Sequence, residues 1–167
     1  GVADVIVGSP RRSNGSGSEG MVHIYFGAAG AFDTTPDVAM ESNQLSAEFG
    51  YSVAFAGDVN GDGLGDLLVG SRFYDNGSTD EGAMFLFLGG TSMNGDADAI
   101  FDVNQGSAYL GYSVAGIGDI NGDGLDDFMI SAYGYDQPGG YAGATYVIFG
   151  RTDAFAATLD INSLDGT

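Results

Sequence analysis

Cysteine, lysine and tryptophan are all missing from this chain of 167 residues, and proline occurs only 3 times. Without cysteine there are no disulfides and no thiolate metal sites, which leaves the extracellular or intracellular setting open on that ground. Positive charge is the next scarcity. Four arginines (Arg11, Arg12, Arg72 and Arg151) face 23 acidic residues, and the net charge is −19. No basic patch exists to displace counterions from a nucleic acid, so no nucleic acid partner is expected. No apolar run reaches the length of a membrane-crossing helix, so direct membrane insertion is not expected. Hard cations are the natural partners of so much carboxylate.

Glycine, by contrast, reaches 30 residues, and apolar residues make up 44%. Short apolar runs punctuated by glycine point to strands and tight turns around a packed core.

The pattern D-x-N-x-D-G-x-x-D occurs twice, 61 residues apart, starting at Asp58 and at Asp119. Its side-chain oxygens are Asp58, Asn60, Asp62 and Asp66 in the first copy. They are Asp119, Asn121, Asp123 and Asp127 in the second. Alternation lets these side chains converge if the intervening glycines curl the chain, which Gly61 and Gly63 permit. Calcium takes several hard oxygens at flexible distances, and such a loop offers them. Three carboxylates crowded together also repel unless a cation joins them. An EF-hand is excluded by counting, since its twelfth position holds Val69 or Ile130 instead of glutamate. Magnesium keeps more of its waters than this donor set leaves room for. The plain alternative is a pair of Asp/Asn/Gly turns, but all four side-chain oxygens recur in both copies.

Each loop sits at the same place in a longer repeat. A strand of about nine residues leads into it, as at 49–57 and 110–118. A short apolar strand leaves it (Asp4–Ser9, Asp66–Ser71, Asp127–Ala132), then a polar loop, then an aromatic-rich strand ending in glycine at Gly27, Gly89 and Gly150. A fourth, more polar strand is expected near 37–40, 99–103 and 158–161. Four strands at a fixed period point to propeller blades, and the continuous runs Leu67–Val69 and Phe128–Ile130 suit strands buried on both faces.

The repeats resemble the FG-GAP repeats of integrin alpha-subunit propellers. Phe49-Gly50 supplies the "FG" and Gly70-Ser71 the region of the "GAP", with departures at Leu110-Gly111 and Ser131-Ala132-Tyr133. The resemblance implies an all-β fold, a partial β-propeller of about three four-stranded blades with calcium-binding loops, the first blade incomplete. The expected units are 1–48, 49–109 and 110–167, the last including a run-in to another blade. In the family pattern the seventh loop position lends a backbone carbonyl, which here falls on Leu64 and Leu125, and both side chains are expected to tuck into their blades. Two complete Ca2+ sites are implied. Asp4 matches Asp66 and Asp127, so it completes a third site only if upstream residues are supplied.

Other candidates carry less. His23, the single histidine, lies in a strand, and nothing around it resembles a nucleophile elbow. Asp75–Glu81 and 136–140 are expected as solvated hairpin loops. Asn14 and Asn76 begin Asn-Gly-Ser sequons, but Asn-Gly also favours tight turns. Arg11, Arg12 and Arg72 suit a salt bridge between blades or a partner contact.

The resemblance implies a non-enzymatic extracellular scaffold for adhesion or protein interaction, in which calcium is structural. An accessory propeller of a larger secreted enzyme and a component of a cell-surface layer are the alternatives. Expected partners are a protein ligand, further blades, or further copies of this chain. About three blades are too few to close a ring, since propellers have roughly four to eight.

Overall fold

The computed structural model describes residues 3–15, 17–29, 34–90, 95–136, 140 and 142–163. Ser16, Gln137, Pro138, Gly139 and the run-in after Ser163 lie outside them. Among the described residues eleven strands form three sheets. β1 (Val5–Ser9), β2 (Met21–Tyr25) and β3 (Val38–Glu41) make the first. β4 (Ser52–Gly57), β5 (Asp66–Ser71), β6 (Ala83–Phe87) and β7 (Ala99–Asp102) make the second. β8 (Leu110–Gly118), β9 (Asp127–Ala132) and β10 (Ala144–Ile148) make the third. Each is an antiparallel meander in chain order, and together they form a partial β-propeller.

The alternation of side chains along a strand explains why the central sheet is apolar on both faces. Leu67 and Val69 face the first sheet, in a cluster with Val22, Ile24, Phe49, Phe85 and Phe87. Leu68 faces the third, with Met84, Leu86, Phe101, Phe128 and Ile130. All three residues of that run are 0% exposed. In the corresponding run of β9 only Phe128 and Ile130 are fully buried; Met129 is half-buried, because it pairs with Val147 on the face turned away from the second sheet.

Glycine sets how closely the sheets approach. A Cβ on Gly8 would stand 2.1 Å from the Gly50 carbonyl oxygen, and one on Gly70 would stand 2.1 Å from that of Gly111. Backbone meets backbone there, so the "FG" glycines and their partners are steric requirements. Ser131, which departs from the pattern, holds the equivalent place in β9.

The fourth strand of the last repeat differs from expectation. β11 (Thr158–Asp160) does not pair with β10. It adds in parallel to the free edge of β7, with Leu159 opposite Phe101. This edge offers unpaired backbone groups, and the move buries Phe155 and Ile161 against the cluster shared by the second and third sheets.

Two linkers missed in the sequence tie the sheets together. The Gln44 amide donates to the Asp75 carbonyl (3.0 Å) and accepts from the Asp75 N–H (2.7 Å). Gln105 does the same with Asp136 at 3.4 and 3.2 Å. The repeated Asn-Gln-x-Ser-Ala at 43–47 and 104–108 was the available signal. Glu48 accepts from Arg72 (2.8 Å) and Arg11 (3.4 Å), so these arginines form the expected salt bridge between blades. His23 is buried in β2.

The loop after β5 is wound around a fully buried glutamate. Glu81 Oε1 accepts from the N–H groups of Asn76 (2.5 Å) and Ser78 (3.2 Å), while Oε2 has no partner among the described residues. The Asn76 side chain donates to buried Asp102. The sequon asparagine is thus a bridge between two acids. Burial pushes the Glu81 carboxyl up; the two N–H groups oppose this, and the charges of Asp102 and Asp75 add to it. A raised value means that stability is greatest below the ordinary glutamate range and falls as pH rises through the folded value. Glu81→Gln removes the titration. The melting temperature of the variant relative to the natural chain should therefore climb as pH rises from the ordinary glutamate value, about 4, toward neutral. An unchanging difference across that range would contradict a buried charge at Glu81.

Candidate metal centre

Both loops lie between the first and second strands of their sheets and have the same internal geometry. The first winds around Asp58. Its Oδ1 accepts from the N–H groups of Gly61 (2.7 Å) and Asp62 (3.1 Å), and its Oδ2 from that of Gly63 (2.9 Å). Asn60 Oδ1 accepts from the Asp62 N–H (2.9 Å), and Asp62 Oδ1 from the Leu64 N–H (2.8 Å). Gly61 and Gly63 have φ of 79° and 84°, the left-handed turns that let the chain curl.

The second loop repeats this. Asp119 accepts from Gly122 (2.6 Å), Asp123 (3.2 Å) and Gly124 (2.9 Å), Asn121 accepts from Asp123 (2.9 Å), and Asp123 accepts from Leu125 (2.9 Å). The N–H of Gly124, with those of Gly122, Asp123 and Asn121, holds the Asp119 carboxyl below the usual range.

The ninth residue has a different environment. Asp66 is 0% exposed. Its Oδ2 accepts from the Val59 N–H (2.8 Å) and its Oδ1 from the Gly89 N–H (2.7 Å). It therefore staples the root of the loop to the end of β6. Asp127 does the same with Ile120 (3.0 Å) and Gly150 (2.9 Å). Asp4 makes one half of the same arrangement, accepting from Gly27 at 2.7 Å. Burial pushes the Asp66 carboxyl up; its two N–H donors oppose that, and the charges of Asp62 and Asp58 raise it further. The loop carboxylates thus feel one another.

The two Leu side chains part company. Leu125 lies against Gly61 of the neighbouring loop, whereas Leu64 is 48% exposed and is not tucked into its blade. Leu125 has a preceding loop to rest on. In the first repeat, of the loop positions that carry side-chain oxygens, the chain holds only Asp4.

The donor set fits a hard divalent cation in kind: three carboxylates and an amide oxygen per loop, on a backbone curled by positive-φ glycines. The carboxylates are turned to the loop's own amides, and among the described residues no three acidic or histidine side chains form a ready-made metal cluster. A bound cation would be held by Asp58, Asn60, Asp62 and Asp66 with the Leu64 carbonyl, and by Asp119, Asn121, Asp123 and Asp127 with that of Leu125. It would supply charge neutralisation and cross-linking. Asp126 was not singled out in the sequence, yet its Oδ2 accepts from the Asp58 N–H at 2.8 Å.

The FG-GAP repeat family model matches residues 49–87 and 110–148, each span running from the FG or LG dipeptide through the loop to the third strand. The chain belongs to the FG-GAP repeat family. It is 35% identical to integrin alpha-PS2 of Drosophila melanogaster over 88% of this chain and 10% of that protein. It is 28% identical to integrin alpha-5 of Xenopus laevis, covering 86% of this chain and 14% of the relative. It is also 32% identical to phosphatidylinositol-glycan-specific phospholipase D of Bos taurus, over 70% of this chain and 15% of that protein. The FG-GAP chain thus spans a small part of the length of these relatives. None of its described helices is long and apolar enough to cross a membrane.

The staple and the loop side chains should separate by mutation. In chelator, Asp66→Ala leaves one buried and one half-buried N–H group unpaired and should cost about 3 kcal/mol in urea unfolding. Asp62→Ala, at an exposed position, should cost under about 1 kcal/mol under the same conditions. Equal losses would mean that Asp66 is not a staple.

Proposed function

We propose that this chain is a calcium-stapled FG-GAP segment of a larger propeller, serving extracellular adhesion or protein interaction without chemistry of its own. The observation that carries this reading is the double occurrence of one loop geometry, with the same oxygens accepting from the same relative backbone positions. Calcium in this reading joins the first-turn carboxylates to the buried ninth aspartate. It binds the native loop and not the unfolded chain, so it stabilises by mass action. Resemblance to integrin alpha subunits supports the protein-interaction role and the extracellular setting, where calcium is plentiful enough for loops of modest affinity.

The outer faces support attachment to further blades, on a division into units at 1–48, 49–109 and 110–167. Val5, Val7 and Phe26 are exposed on the first sheet, and Val147, Phe149 and Tyr133 on the third. The central sheet exposes Phe55 on β4 and no large apolar side chain on β5, β6 or β7. A second copy of the chain offers the same kind of surface as a further blade and is the alternative occupant. The likeness to a phospholipase D over a small part of its length favours a second role, as a non-catalytic accessory module within an enzyme.

Millimolar calcium should raise the melting temperature, by the equivalent of about 2.7 kcal/mol per site at a hundredfold excess over the dissociation constant. The paired change Asp62→Ala and Asp123→Ala should abolish that gain. A gain that persists in the double variant would remove calcium from these loops.

A further inference from the structure

The two loops are not independent hairpin ends. The Asp126 N–H donates to the Asp58 carbonyl (3.0 Å), and the Asp58 N–H donates back to Asp126 Oδ2 (2.8 Å). This clasp grips the backbone of the residue that opens the first loop. It comes from the eighth position of the second loop, between Leu125 and Asp127. Room for it is made by Gly57, whose φ is 87° and where a Cβ would stand 2.0 Å from Asp126 Oδ2.

Two further contacts run alongside. The Leu125 side chain rests on Gly61, where a Cβ would lie 2.9 Å from Leu125 Cδ2. The Arg151 N–H donates to the Val59 carbonyl (2.8 Å), while the Val59 N–H is held by Asp66. The seventh and eighth positions of the second loop are thereby linked to the fourth and first of the first loop, and Arg151, next to the Gly150 that Asp127 holds, is linked to the second. The eighth position of the first loop is Gly65, which has no side chain with which to make such a clasp.

We propose that Asp126 couples the two loops, so that a divalent cation held by one raises the affinity of the other. This rests on the calcium reading of the loops. Ordering Leu125 and Asp127 around an ion fixes Asp126 between them. Asp126 then fixes the backbone of Asp58, and the first loop loses less freedom when its own ion arrives. Linkage requires the same factor in the reverse direction.

Calorimetric calcium titration of this chain tests the coupling. The natural chain should bind two ions with positive cooperativity. The first loop, measured alone in Asp123→Ala, should bind about fivefold or more weakly than it does beside a filled second loop. Asp126→Ala should keep both sites and lose the cooperativity, while Asp126→Asn, which retains an acceptor, should restore it. A second measurement leaves residue 126 untouched. In Asp62→Ala, calcium filling the second loop should shift the amide resonance of Asp58. Two independent or mutually opposing sites, cooperativity that survives Asp126→Ala, or an Asp58 amide that does not move would overturn the coupling while leaving calcium in the loops. Absence of calcium binding at both loops would instead overturn the underlying reading, and the coupling with it.

Discussion

A buried carboxylate holds together each of the two repeats that carry a whole loop. Asp66 and Asp127 sit in the dry interior and accept two backbone N–H groups apiece, one from the loop root and one from the glycine that ends the third strand. Burying a charge is expensive unless hydrogen bonds compensate, and charge-assisted bonds to backbone amides are among the stronger ones. The staple fixes where the loop starts relative to the far edge of the same sheet. It also places the Asp66 carboxyl beneath the loop, where burial and the charges of Asp62 and Asp58 push it up. A cation is the natural complement of that arrangement, so architecture and proposed binding share one residue.

The seams between sheets follow a second constraint, steric in origin. Strands of adjacent sheets meet backbone to backbone at Gly8 with Gly50 and at Gly70 with Gly111. That approach brings the apolar faces within packing distance and produces two clusters, one on each side of β5. Around it, the Gln44 and Gln105 amides satisfy backbone groups of the next hairpin loop. The Arg72 guanidinium, paired with Glu48, also lies 4.0 Å from the Tyr51 ring centroid. Polar groups at the seam are therefore paired locally, with Glu81 Oε2 the exception among the described buried side-chain atoms.

Much of this was legible in the chain because a repeat writes its requirements more than once. The 61-residue step marked the strands, and the fourth strands fall at the expected places along the chain, although β11 pairs with β7 and not within its own repeat. The alignment of Asp4 with Asp66 and Asp127 holds in the structure as a shared bond to Gly27, Gly89 and Gly150. Other features were not legible because their partners are far away in sequence. Asp126 reads as one more acid until the fold brings it to Asp58, 68 residues away. Leu64 and Leu125 look equivalent, yet one has a neighbouring loop to cover it and the other does not.

The sequence by itself determined the antiparallel order of β1 to β10 within their sheets, the loop composition and the family, since these depend on local spacing and side-chain chemistry. Only the tertiary structure decided that β11 would cross to the edge of β7, that the ninth aspartates would be staples, and that one loop would grip the next. The reason is physical. Edge pairing, burial of charge and contacts between loops are settled by which groups meet across sheets, and no periodicity along one chain records that meeting.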